Sequence, residues 1–135
     1  MTPGLESYLG LIYAFYGLAF FSLGMVAFML PRHVDGLPIA PHLGWLAAFG
    51  MAHGLMEFVE GQRLVASAPW LDWAGGALLV GSYGALLEFG RRIWNAGGGP
   101  FALPAAPIHA AVAAAVAVVT LGATEPWAGL DLATR

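Results

Sequence analysis

The chain has 135 residues, of which 59% are hydrophobic and 10% charged, with a net charge of −3. A soluble domain carries about 25% charged residues, so this composition suits lipid as the solvent, and no basic stripe exists to neutralise nucleic-acid phosphates. With no cysteine, neither a disulfide framework nor a thiolate metal site can form.

Met1-Thr2-Pro3-Gly4-Leu5-Glu6 places no positive charge ahead of the first apolar run. That is unlike a cleaved signal peptide, and the first helix is expected to stay in the mature protein. Four apolar segments follow, each reaching the roughly 20 helical residues that cross a hydrocarbon core. The first covers about 7–30 and stops at Pro31-Arg32-His33; a loop with Asp35-Gly36, Pro38 and Pro41 follows. The second covers about 43–64 and the third about 70–94, joined through Ser67-Ala68-Pro69. Asn95-Ala-Gly-Gly-Gly-Pro100 breaks the chain, and the fourth covers about 104–123. No strand alternation is visible, and open sheet edges do not survive in lipid. Short links make neighbouring helices antiparallel. The expected fold is all-α: one domain, 1–135, formed by an up-down antiparallel bundle of four transmembrane helices.

Gly10, Gly17 and Gly24 recur every seven residues on the first helix, Gly50 and Gly54 lie four apart on the second, and Gly81 and Gly84 sit on the third. Small residues at these spacings let backbones approach, so all seven are expected to pack helices. Trp45, Trp70, Trp73, Trp94 and Trp127 fall near helix ends, as interfacial anchors do. Arg32 and the Arg91-Arg92 pair lie on one side, against Arg63 and Arg135 on the other. By the positive-inside rule the Arg32, Arg91 and Arg92 side is cytoplasmic and both termini lie outside.

An ionisable group at bilayer depth costs several kcal/mol and calls for a partner or a reason. His53, Glu57 and Glu60, spaced i, i+4, i+7, share one face of the second helix. They suggest a signal- or proton-responsive group. The plainer alternative is a bundle hydrogen bond from His53, with Glu60 paired to Arg63. Glu88 precedes Arg91 and Arg92 by three and four residues, the spacing of an intrahelical ion pair. A Glu88–His109 pair with the fourth helix is the competing reading. His33 and His42 look solvated.

No cofactor is expected, although lipid, a pigment or a haem between helices stays open. His53 and His109 are the histidines available to a haem, but their expected depths differ by about four residues, roughly 6 Å, and no spacing motif supports the pairing. No metal site is expected, because no His-carboxylate spacing recurs on two helices. Ser22, Ser67 and Ser82 have no recognisable base in sequence, and no phosphate loop is present, so no catalytic residue is assigned.

Two runs carry a resemblance. LAAFGMAHGLMEFVE (46–60) resembles a Leu-Ala-x-Phe-Gly-x-x-His-Gly-x-x-Glu-Trp pattern in the N-terminal membrane regions of certain bacterial sensory histidine kinases and cyclic-dinucleotide signalling proteins. GSYGALLEFGRRIW (81–94) is similar to the Ser-x-x-x-Leu-x-x-Phe-Gly-x-Arg segment of the next helix there, and YGLAFFSLGMVAFMLPR (16–32) to the first helix. The resemblance covers about 10–95 and marks Phe49, Gly50, His53, Gly54, Glu57 and Phe58, then Ser82, Glu88, Phe89, Gly90, Arg91 and Arg92. Phe58 stands where the pattern has tryptophan, and the chain stops at Arg135 without the PAS, kinase or cyclase domain that follows in that family.

The resemblance implies a multi-pass protein of the bacterial inner (cytoplasmic) membrane. It would be a sensory input module, non-catalytic by itself, that passes a signal on by helix rearrangement. The first alternative is an accessory structural subunit of a photosynthetic or respiratory membrane complex. The second is a small proton- or cation-conducting protein. Each has the bilayer and other transmembrane helices as partners, in a homo-oligomer or a larger complex.

Overall fold

The computed structural model describes residues 3–33, 36–98 and 101–123, with side chains from Tyr8 to Ala114 within those ranges. Trp127, Arg135 and Asp35 lie outside the described residues. The described residues form four α-helices and no strand: α1 (Pro3–Met29), α2 (Leu43–Arg63), α3 (Pro69–Ala96) and α4 (Ala105–Ala123). A single 3-10 turn, Ala40–His42, leads into α2. The helix limits match the sequence expectation within two residues, except that α1 begins at Pro3.

Local chemistry explains the ends. Pro31, which cannot extend the hydrogen-bonding pattern, follows α1 closely. Pro69 opens α3 at a position where its missing N–H costs nothing. At the far end of α3 the Gly97 amide donates to the Ile93 carbonyl at 2.8 Å. Gly98 then turns the chain out at φ +68°, a conformation that favours glycine.

The chain divides into two compact units, Met1–Ala102 and Leu103–Arg135. The second contains α4, an alanine-valine helix with Pro107 in its first turn. In the first unit, α1 and α3 both pack against α2 and, among the described residues, not against each other. The result is an up-down-up layer with α2 in the middle. Antiparallel order is explicit in the register. Gly24 of α1 meets Ala47 and Met51 of α2, while Gly17 meets Gly54 and Phe58. Across the other interface, Arg63 bridges to Asp72, and His53 reaches Ser82.

One described helix is long and apolar enough to cross a membrane: α1, over the 22 residues Tyr8–Met29. It is apolar on every face, the pattern of a helix surrounded by core or by lipid. Within the first unit it is not surrounded by core, since Leu11, Phe15, Leu18, Val26 and Phe28 all stay exposed. The ionisable side chains of α2 and α3 lower their apolarity.

The seven glycines expected to pack helices separate into two groups. Gly17, Gly24, Gly50 and Gly54 bring α1 and α2 into backbone contact. A methyl carbon on Gly50 would sit 2.6 Å from the Gly24 nitrogen and 2.8 Å from the Phe20 carbonyl oxygen; one on Gly54 would sit 2.7 Å from the Gly17 oxygen. At Gly10, Gly81 and Gly84, among the described residues, no atom apart from chain neighbours and the helix's own backbone lies within 4 Å of an added methyl. For Gly10 the reason is register, because the descending pairing of α1 against α2 brings it to the α2 end at Arg63. Gly81 and Gly84 lie on α3 surface that α2 does not cover.

Candidate functional site

The middle of α2 holds a polar side chain in an aromatic enclosure. His53 is 7% exposed and is the one histidine among the buried described residues. Its ring stacks against Phe49, one turn earlier on α2, at 5.3 Å and 29°. From α1, Phe20 presents its ring at 4.5 Å and 75°; from α3, Tyr83 does so at 5.6 Å and 76°. Phe20 and Phe49 also meet edge to face at 5.8 Å. The i−4 spacing places Phe49 on the same α2 face as His53. The backbone approach at Gly50 and Gly54 draws Phe20 close.

Both ring nitrogens of His53 face polar atoms. Nδ1 lies 3.1 Å from Ser82 Oγ on α3, and Nε2 lies 3.6 Å from Glu57 Oε1 one turn further along α2. Ser82 is fully buried, and its hydroxyl donates to the Leu79 carbonyl three residues back at 2.8 Å. Serine, histidine and glutamate therefore come together, which the sequence reading missed in finding no base for Ser82. The arrangement does not suit nucleophilic attack, because the hydroxyl is enclosed and its hydrogen is committed to a carbonyl.

Glu60 leaves this site. Arg63 Nη1 donates to both of its carboxylate oxygens, at 2.7 and 2.9 Å, and Arg63 Nη2 reaches Asp72 Oδ1 on α3 at 2.6 Å. Gly75 makes room for Glu60: a methyl there would lie 2.9 Å from Glu60 Oε1. The three groups expected on one α2 face thus separate into an inner pair, His53 and Glu57, and an outer cluster, Glu60, Arg63 and Asp72.

At the opposite end of α3, Glu88 is 4% exposed and held by two arginines. Arg91 grips both carboxylate oxygens at 2.7 Å, and Arg92 Nε donates to Oε1 at 2.6 Å. His109, the other partner considered for Glu88, belongs to the second unit. The Arg92 guanidinium also lies over the Trp45 ring, 5.3 Å from its centre, a cation–π contact from α3 to α2. Arg32 donates to the Phe28 carbonyl at 3.2 Å and lies 5.9 Å from the Phe28 ring centre. Trp45 and Trp94 are at this end of the layer, and Trp70 and Trp73 at the other; all four are exposed.

One signal in the sequence pointed to Ser82. The α2–α3 link is short, so residues equally far from it on the two helices should pair. Arg63–Asp72, Glu60–Gly75 and His53–Ser82 are all centred between Ser67 and Ala68. No family model matches the chain, and neither a curated protein nor a solved structure does so.

Proposed function

We propose that this chain is a multi-pass membrane sensory module, in which α2 senses through His53 and passes the change to its neighbours as a helix rearrangement. The observation carrying this reading is that one buried titratable side chain touches both flanking helices, Phe20 on α1 and Ser82 and Tyr83 on α3. A change in its charge or tautomer alters the polar contact to α3, while α1 stays held to α2 by glycine packing. The positions carrying the resemblance to bacterial sensor-kinase membrane regions include those in contact here: Phe49, Gly50, His53, Gly54, Glu57, Phe58 and Ser82.

Four spans in the bacterial inner membrane are part of the same proposal. The exposed apolar surface of α1 supports it, as does the spacing of the tryptophans. Trp73 and Trp94 on α3 are separated by 21 rises of 1.5 Å, about 32 Å, close to the roughly 30 Å hydrocarbon thickness between interfacial belts. The polar groups of α2 and α3 then fall into three levels. Arg63, Glu60 and Asp72 lie at one interface, Glu88, Arg91 and Arg92 near the other, and His53 with Glu57 between them.

Gentle solubilisation from native membranes, followed by mass spectrometry of the retained proteins, tests the reading. A histidine kinase or nucleotide cyclase held by the module, or this sequence at the head of one, is the expected result. Retention within a photosynthetic or respiratory complex would overturn it in favour of an accessory subunit. The specific observation behind that second reading is the open glycine surface of α3 at Gly76, Gly81 and Gly84, where another helix could approach.

A further inference from the structure

The hydrogen-bond chain through His53 determines where hydrogens can sit. Ser82 has one hydroxyl hydrogen, and the 2.8 Å separation from the Leu79 carbonyl oxygen requires that hydrogen between the two oxygens. A carbonyl only accepts, so Ser82 Oγ is left to accept from His53, and Nδ1 must carry a hydrogen. In the neutral ring, Nε2 is then bare. It faces Glu57 Oε1 at 3.6 Å, just beyond hydrogen-bond length. Whenever Glu57 carries no proton, the bare nitrogen and Oε1 are two acceptors face to face. Among the described residues of α1, the Phe20 ring is the group at this site, with Tyr13 further along against Gly61. On α3, Ser82 is committed, Tyr83 presents its ring, Asp72 pairs with Arg63, and Glu88 binds Arg91 and Arg92. On α2 itself, Glu60 pairs with Arg63.

We infer that His53 and Glu57 form a receptor for a single hydrogen ion, and that this ion is the ligand of the proposed sensory site. The inference rests on the sensory reading for its function, but its chemistry stands on the hydrogen-bond geometry. One proton from the aqueous phase enters the gap and forms an N–H or O–H bond between Nε2 and Oε1, converting two opposed acceptors into one hydrogen bond. The contact shortens, and the His53 ring shifts against Ser82, Tyr83 and Phe20. Ser82 acts as a positioning residue, because it holds the tautomer that turns the bare nitrogen toward Glu57.

Solid-state NMR of the full chain with 15N-histidine, in phospholipid vesicles titrated from about pH 9 to about pH 4.5, reads the site directly. The His53 resonances are assigned by their loss in His53→Asn. The expected result is an Nδ1–H neutral tautomer at high pH, and on acidification a shift of Nε2 away from its bare-nitrogen position. Glu57→Gln brings N–H donors to the same place, so its Nε2 resonance should lie near the hydrogen-bonded position and lose most of its pH dependence. Ser82→Ala should release the tautomer and populate Nε2–H. An Nε2–H tautomer in the unmodified chain, or an Nε2 resonance unchanged across the titration, overturns the inference.

A spin-label distance between α2 and α3, followed in the same vesicles, separates the two claims. A titrating site with an unchanged distance overturns the sensory reading and leaves the proton site standing. A kinase or cyclase recovered with a chain whose His53 does not titrate overturns the proton inference alone.

Discussion

The two faces of α2 are built on different principles. Toward α1 the contact is close and apolar: Gly17, Gly24, Gly50 and Gly54 bring backbone against backbone, and Phe58 fills the space over Gly17. Toward α3 it is polar at three levels, with Arg63–Asp72 at one end, His53–Ser82 in the middle and Arg92 over Trp45 at the other. A backbone-to-backbone contact has no protonation state and little freedom to repack. A contact made through titratable side chains can change strength without any change of sequence. On the proposed sensory reading, the α1/α2 pair is the fixed part of the layer and the α2/α3 interface the part that responds.

Breaking the fixed side should have the largest effect. Gly50→Leu forces a side chain into space occupied by Gly24 and Phe20, and overpacking of this kind costs about 3 kcal/mol. Thermal unfolding in detergent should show a large loss, with Gly24→Ala in the same direction. On the responsive side, His53→Ala removes a ring packed by Phe20, Phe49 and Tyr83 and should cost about 2 kcal/mol. It should also abolish any pH dependence of the α2/α3 separation, a readout that packing loss alone does not move.

Smaller effects sharpen the contrast. Gly81→Ala and Gly84→Ala meet open space, so replacing helical glycine should stabilise the isolated protein by about 0.5–1 kcal/mol each. If a partner helix uses that surface, the same changes weaken its retention during solubilisation. Arg63→Gln removes an exposed ion-pair cluster at the end of α2 and α3 and should shift unfolding by less than about 1 kcal/mol.

Much of this was legible in the sequence, for identifiable reasons. Helix limits followed from prolines and glycine runs such as Pro31, Pro69 and Gly97-Gly98. The Glu60–Arg63 and Glu88–Arg91–Arg92 pairs followed from local helical spacing. Contacts between helices were harder. Glycine spacing marked Gly17, Gly24, Gly50 and Gly54, but equally Gly81 and Gly84, because a small residue announces that approach is allowed and not that a neighbour is there. The i, i+4, i+7 pattern grouped Glu60 with His53 and Glu57, whereas Arg63 draws it to the outer cluster. Ser82 was marked by the resemblance, but its contact with His53 was not, because the two are 29 residues apart and only the register of the α2–α3 turn joins them.

The chain has no cysteine, so spin labels attach only where cysteines are introduced, and paired distances can compare the two interfaces directly. Leu18, Leu55 and Val80 are exposed positions on α1, α2 and α3. In phospholipid vesicles taken from about pH 8 to about pH 5, the Leu55–Val80 distance should change while the Leu18–Leu55 distance stays constant, and His53→Ala should abolish the change. Two distances that never move, or an α1/α2 distance that moves as much as the α2/α3 distance, would contradict the division between a fixed and a responsive face of α2.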